Sequence, residues 1–317
     1  MSLIDRIFSE PELRAEPPVL VDVGAAGGLH PAWRRIARHC IGVGFEPDAR
    51  EAAPLGAGPR RFRRWIFCPG LVVPTPMANG QQTFFLTRSP QCSSTLRPDA
   101  ARLSEWAFAE FFEVTETNLF PSTTLMEALA AQGIGRIDWL KCDTQGLDLK
   151  LFLSLPPSWR ARMLAVELEP GLIDAYVGED KLSDVLAAMK GEPFWLADLM
   201  VGRTPRGRPG LLAAKLGAGA IKWARRLAPD APAWANACFL RDLAVAPDAL
   251  DRRACLLSWV FATLLKQHGC ALGVAEAGAE RFGGALFAEL AEASTRRLRW
   301  AMVRRLPAAL WRRFTRA

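Results

Sequence analysis

The sequence predicts an α/β protein: an open, mostly parallel sheet flanked by helices, with an antiparallel pair at one edge and a helical C-terminal extension. Three observations carry this. Apolar, β-branched runs alternate with helix-compatible stretches from about residue 19 to residue 201. Several of these runs stop at glycine or at an acidic residue, as strands do where they turn into the next helix. From Asp248 onwards the strand pattern gives way to helical sequence.

A leading helix is expected over 2–15. The first strand covers 19–23 and stops at Gly24. Pro31 opens a helix over 31–39, since a proline in the first helical turn loses no hydrogen bond. A second strand covers 41–45 and a third 60–67, whose basic residues alternate outward. Asn79-Gly80 marks a hairpin-type turn, followed by a strand over 82–87. Residues 88–98 form a polar loop, 104–112 an aromatic, helix-like stretch and 112–117 another strand. Thr124 and Glu127 have the spacing of a capping box, and the helix they open runs to Ala131 before Gly133.

Strand 137–143, helix 145–153, strand 163–168, helix 180–190 and strand 194–201 follow, with Pro156-Pro157 closing the first of these helices. Such alternation argues for a parallel sheet. A Gly-, Pro- and Arg-rich loop at 202–210 opens an insertion over about 203–233, with a helix at 211–227. Strand character returns at 234–243 and makes the antiparallel edge pair. Helices are expected at 250–268 and 276–292, then the basic end, where Pro307 should break or kink the helix. The division is a sheet domain over 1–245 and a helical extension over 246–317.

Composition narrows the class. Half of the 317 residues are hydrophobic, enough for one large domain with a smaller appendage. The seven cysteines are scattered, odd in number and never spaced Cys-x-x-Cys, which points to a reducing cytoplasm. His30, His39 and His268 are not grouped with them at zinc-ligand spacing, so no metal site is expected. Residues 1–16 carry acids and no apolar run, unlike a signal peptide. The apolar run at 254–265 is too short to span a bilayer. Residues 296–317 hold eight arginines and no acid, more than the whole net charge of +7. The body is therefore near neutral, and a nucleic-acid-binding domain is a poor reading.

The chemistry is expected at strand ends. Val19-Leu-Val-Asp22-Val-Gly24-Ala25-Ala26-Gly27-Gly28 and, beyond it, Gly44-Phe-Glu46-Pro-Asp48 read as the start of a nucleotide-binding βαβ unit. Glycines let the chain turn sharply and let a ligand approach the backbone, here at Gly24, Ala25 and Gly28. Glu46 offers two acceptor oxygens to both hydroxyls of a ribose. A dehydrogenase would want glycine at position 26, where Ala26 stands. Asp22, two residues before the first glycine, suits the ammonium group of S-adenosylmethionine (SAM). Lys141 and Asp143 share a face of their strand, as do Glu167 and Glu169. A carboxylate or lysine there can take the proton of an attacking alcohol. Alternatively Lys141 and Asp143 are an ion pair, with Asp143 capping the next helix, and Glu169 is structural. The Cys92-Ser93-Ser94-Thr95 loop offers hydroxyls to a substrate or to the donor's carboxylate, or else a helix cap. With no histidine nearby in sequence, Cys92 is a weak nucleophile candidate.

These blocks, with Thr87-Arg-Ser-Pro-Gln-Cys-Ser-Ser-Thr-Leu96, Ile137-Asp-Trp-Leu-Lys-Cys-Asp-Thr-Gln-Gly-Leu-Asp148 and Val166-Glu-Leu-Glu-Pro170, resemble FkbM-family SAM-dependent methyltransferases. The similarity runs from about Leu20 to Val201 and resumes at 234–242. It does not cover the chain after about Asp248. It implies a Rossmann-like class I methyltransferase sheet of seven strands, SAM as methyl donor and O-methylation of a sugar, glycan or natural product. On that reading Asp22, Gly24, Ala25, Gly28 and Glu46 bind the donor. Asp143, Lys141 and Glu167 are the catalytic candidates, and Ser93, Ser94 and Gln145 touch the acceptor. Ala26 departs from the polar residue, commonly Asn, of many relatives, which puts one donor contact in doubt.

Two other readings stand beside it. One is a non-catalytic scaffold on a methyltransferase fold, or a membrane-surface interaction protein. The other is an NAD-dependent oxidoreductase, which shares Glu46 but is weakened by Ala26. The basic tail interleaves arginine with Leu298, Trp300, Met302, Val303, Leu306, Leu310, Trp311 and Phe314. Its expected role is to pack an apolar face on the sheet domain. Peripheral contact with an anionic membrane surface is the alternative.

Overall fold

A computed structural model of the protein describes residues 2–26, 28–51, 61–217, 219, 223, 229–243, 245 and 251–314, with backbone only beyond Arg304. Its strands are β1 (Val19–Val23), β2 (Ile41–Phe45), β3 (Arg64–Cys68), β4 (Leu71–Val73), β5 (Gln81–Thr87), β6 (Val114–Thr124), β7 (Trp139–Cys142), β8 (Ala165–Leu168), β9 (Phe194–Pro205) and β10 (Asp230–Arg241). Seven of them form one mostly parallel sheet in the order β3-β2-β1-β7-β8-β10-β9. All five residues of β1 are buried, as befits a central parallel strand covered on both faces. The core packs Val21, Val43, Leu140 and Val166 of the sheet against Leu129, Phe152 and Val185 of helices Leu125–Ala131, Asp148–Ser154 and Leu182–Met189.

Two features of the sheet position a site. The chain order reverses between β1 and β7, which opens a crevice at the carboxyl ends of the strands. The parallel registers set Asp22 opposite Lys141, and Lys141 opposite Glu167, so three charged residues form one row across three strands.

Most expected elements are present, and the exceptions have local causes. The leading helix is two helices, Leu3–Ile7 and Pro11–Ala15, because Pro11 restarts the chain at its own first turn. The helix expected at 31–39 is a pair of 3₁₀ turns, Trp33–Arg35 and Ala37–His39. Burying Trp33, Ile36, Ala37 and Cys40 in so short a connection tightens it to i→i+3 bonds. The aromatic stretch at 104–112 likewise yields only helix Ala100–Leu103 and the 3₁₀ turn Ala109–Phe112.

Asn79-Gly80 turns the chain but does not make a hairpin. β6 lies between β4 and β5, parallel to the first and antiparallel to the second, and Ser122 N donates to Gly80 O. β10 lies beside β9 at the sheet edge, as the insertion pattern implies. Of the inserted helix, Pro209–Leu216 is described, and the rest of 211–227 lies largely outside the described residues. The capping box at Thr124 and Glu127 forms as its spacing predicts.

The chain divides into two compact units, Pro17–Phe239 and Met1–Glu16 with Leu240–Ala317. The leading segment thus goes with the C-terminal helices rather than with the sheet. Arg252 pairs with Glu10 and Glu12, Arg6 with Glu289, and Arg253 Nε donates to Glu16 O. In the helical unit, helices Arg252–Leu264, His268–Phe282 and Ala285–Phe314 enclose Trp259, Phe261, Phe287 and Leu290. Two helices are found where one was expected at 276–292, because Gly283 and Gly284 adopt positive φ of 63° and 88°. The last helix continues through Pro307. The proline removes one donor from the ladder one turn after Val303, which is exposed to solvent. Trp300, Met302 and Val303 are all exposed, so this stretch of the tail does not pack its apolar residues.

Candidate functional site

The carboxyl ends of β1, β2, β7 and β8, with the loop around residues 89–95, enclose a cavity of about 730 Å³. Gly24 opens it. Its φ of 79° lies in the left-handed region, and Gly24 N and Ala25 N both donate to Phe45 O at 3.0 Å, tying the ends of β1 and β2 together. Ala25 is buried beneath this turn, while Ala26 reaches the cavity. Gly28, at φ 92°, is not part of the lining.

Glu46 lies at the end of β2, lines the cavity and is buried. Its Oε2 accepts from Ala26 N at 3.2 Å and its Oε1 from Asp48 N at 2.9 Å, so each oxygen keeps a lone pair. Burial pushes its carboxyl up to about 7, against the backbone bonds that hold it down. The neighbouring Asp48 is clasped by Arg50, which also donates to Thr87 O and Ser93 Oγ.

The row of Asp22, Lys141 and Glu167 lies outside the cavity lining. Lys141 Nζ bonds Asp22 Oδ1 at 2.9 Å and stands 3.9 Å from Asp143 Oδ2. Burial alone would discharge Lys141, but the carboxylates of Asp22, Asp143 and Glu167 reverse that and raise its pKa. These partners favour its charged form. Burial raises Asp22 against the pull of Lys141. Burial would also raise Glu167, but His30, at 3.2 Å, with Lys141 and Asn236, outweighs it and lowers the carboxyl. The sequence pattern sends Lys141 to Asp143; the parallel register makes Asp22 its closer partner.

Asp143 does line the cavity, and it does not cap the next helix. No side chain caps that helix; its first residue, Asp148, instead ties the two strand ends together, accepting from Thr144 N and Thr144 Oγ1 and, on its other oxygen, from Glu169 N. Gln145 Nε2 donates to Asp143 Oδ1 at 2.7 Å. Gln145 adopts φ 58°, a left-handed backbone rare outside glycine, and this turns its side chain back toward Asp143. Its Oε1 lies 3.0 Å from the hydroxyl of Tyr176, which is also 2.8 Å from Cys92 O.

Glu169, read from sequence as structural, reaches the same cavity. Burial, then the charge and hydrogen bond of Asp143, push its carboxyl well above the ordinary range. Its surroundings therefore favour the protonated form, which can donate to Asp143.

Ser93 lines the cavity, and its hydroxyl accepts from Thr87 N at 3.1 Å. Ser94 is fully buried outside the lining and donates to Gln145 O at 2.8 Å, which makes it a brace for the Gln145 turn. Burial pushes the Cys92 thiol up to about 11, so it is not a nucleophile at neutral pH. Thr95 Oγ1 is buried at the cavity wall without a protein partner. Phe84, Phe108, Phe111, Phe112 and Trp234 form an aromatic wall. The sequence places Glu169 at a strand end and reads it as structural, and it does not single out Tyr176. The one signal for Tyr176 is that it is the only tyrosine in the chain.

Among the described residues no group of His, Cys, Asp or Glu is placed to hold a metal ion, and no helix is long and apolar enough to cross a membrane. The sequence matches no protein-family model and no curated protein.

Proposed function

We propose that the protein is a SAM-dependent methyltransferase that O-methylates a hydroxyl of a sugar, glycan or natural product. The observation that carries this reading is Glu46, a buried carboxylate with spare lone pairs, facing a cavity at the chain reversal of a parallel sheet beside Gly24. β10, returning beside β9 at the edge, accords with the class I methyltransferase sheet that the sequence resembles.

The residues present fit the donor. A cavity of about 730 Å³ lies within the roughly 300–1,000 Å³ of small-molecule sites. Glu46 can accept both ribose hydroxyls. Gly24 presents backbone without a side chain, and Thr95 Oγ1 offers an unused hydrogen-bonding group.

The bound donor supplies an electrophilic methyl group on a sulfonium. The chain supplies position and a proton acceptor. Asp143 receives the proton of the acceptor hydroxyl, held in place by Gln145 and by the proton of Glu169. Asp22 and Lys141 act beneath the cavity, fixing the charge on which Asp143 rests. The acceptor lies against Phe108, Phe111 and Trp234.

Calorimetric titration with SAM and with S-adenosylhomocysteine, using NAD⁺ as the control, tests the reading. One-to-one binding of both sulfur compounds and none of NAD⁺ is expected. Failure to bind either sulfur compound at millimolar concentration overturns it.

A further inference from the structure

We infer that the helical unit carries a docking groove for the phosphate head groups of an anionic lipid surface. The groove lies between the start of helix His268–Phe282 and the middle of helix Ala285–Phe314. Lys266, His268, Arg296, Arg297 and Arg304 line it together with Trp300, and among the described residues no carboxylate does. Its size, about 890 Å³, exceeds what a single free phosphate needs.

The cations differ in their ties. Arg297 lies over the Trp259 ring, 5.0 Å from its centroid, and is part of the packing. Arg304 lies over Trp300, 4.7 Å away, on a ring that is itself 62% exposed. Among the described residues, neither Lys266, Arg296 nor Arg304 forms an ion pair with a carboxylate. A cluster of unpaired like charges repels itself and favours an anionic partner. Lys266 adds a second sign. It follows helix Arg252–Leu264 with φ 61°, the conformation in which a helix normally ends on glycine. A lysine there is strained, and the strain is retained together with a charge that faces the groove.

Exposed apolar residues decide between a lipid surface and a soluble phosphate. Arg296, Trp300 and Val303 are spaced i, i+4, i+7 and share one helix face. Trp300, Met302 and Val303 are between 62% and 68% exposed. A soluble phosphate has no use for them, whereas an interfacial helix inserts tryptophan and aliphatic side chains between head groups and flanks them with arginine. The sequence continues the spacing with Leu310, Trp311 and Phe314, again interleaved with arginine.

Vesicle sedimentation of the full chain tests this independently of SAM binding. The chain should bind vesicles of phosphatidylcholine with phosphatidylserine at low salt, not phosphatidylcholine alone, and should be released as salt rises. Each neutralised cation should weaken binding about fivefold, so Arg296→Gln with Arg304→Gln should cost about 25-fold. Lys266→Gly separates docking from folding: it relieves the strained backbone and should raise the melting temperature while weakening vesicle binding. Absence of binding to serine-containing vesicles overturns the proposal, as does unchanged binding of both variants. Inorganic phosphate shifting the His268 resonances of a chain that ignores vesicles also overturns it, in favour of a free-anion site.

Discussion

A Cβ atom on Gly24 would lie 2.0 Å from the carbonyl oxygen of Asp143. The turn after β1 and the turn after β7 thus touch backbone to backbone. Both rims of the cavity depend on this contact.

Gly24→Ala should therefore damage fold and site together. The positive φ alone costs about 1–3 kcal/mol, and the clash adds to it because the obstacle is backbone. Thermal unfolding should show the loss of stability, and SAM titration a weakened or absent site. A variant with wild-type melting and affinity would mean that the two turns can part freely.

Glu46 should make donor affinity depend on pH. Its carboxyl, raised by burial to about 7, is half protonated at neutrality. Accepting two ribose hydroxyls needs the ionised form, so affinity should rise as pH climbs through 7 and level off above it. Below 7 the loss should approach about tenfold per pH unit. Glu46→Gln should flatten this profile, and Glu46→Ala should cost about 1.5–3 kcal/mol of binding. Calorimetry between pH 6 and pH 8.5 reads all three. The stability sign is opposite. An acid with a raised folded-state pKa stabilises the fold below its unfolded value, and that contribution is lost as pH rises through about 7. Glu46→Gln should accordingly unfold less readily than wild type at pH 8.

Asp143→Asn should slow methyl transfer by about 10²–10⁴ while sparing SAM affinity, as loss of a general base does. Glu169→Gln should spare more of the rate, since an amide can still donate to Asp143, and should shift the alkaline limb of the rate profile. Transfer of tritium from labelled SAM into a hydroxylated metabolite extract measures both. Turnover of Asp143→Asn near the wild-type rate would return Asp143 to a purely structural part.

Tyr176→Phe removes the hydroxyl that reaches Cys92 O and Gln145 Oε1. A net loss of about 0.5–1.5 kcal/mol is the scale for one neutral hydrogen bond. Denaturant unfolding should show it, with a smaller effect on SAM binding than Glu46→Ala.

Much of the fold follows from local sequence. Strands β1 and β2, the Thr124–Glu127 cap and the returning strand beside the edge strand were legible because period, punctuation and capping chemistry are properties of neighbouring residues. So were Gly24, Glu46 and Asp143, since strand ends carry their polar residues within a short stretch of chain. Only the tertiary structure decided who pairs with whom. Lys141 turns to Asp22 because parallel register sets them side by side. Glu167 is held by His30, far from it in sequence, and Glu169 meets Asp143 across two strand ends. Pairing across a sheet and burial beneath a cavity depend on register and packing between segments distant in sequence. Local spacing carries no record of either.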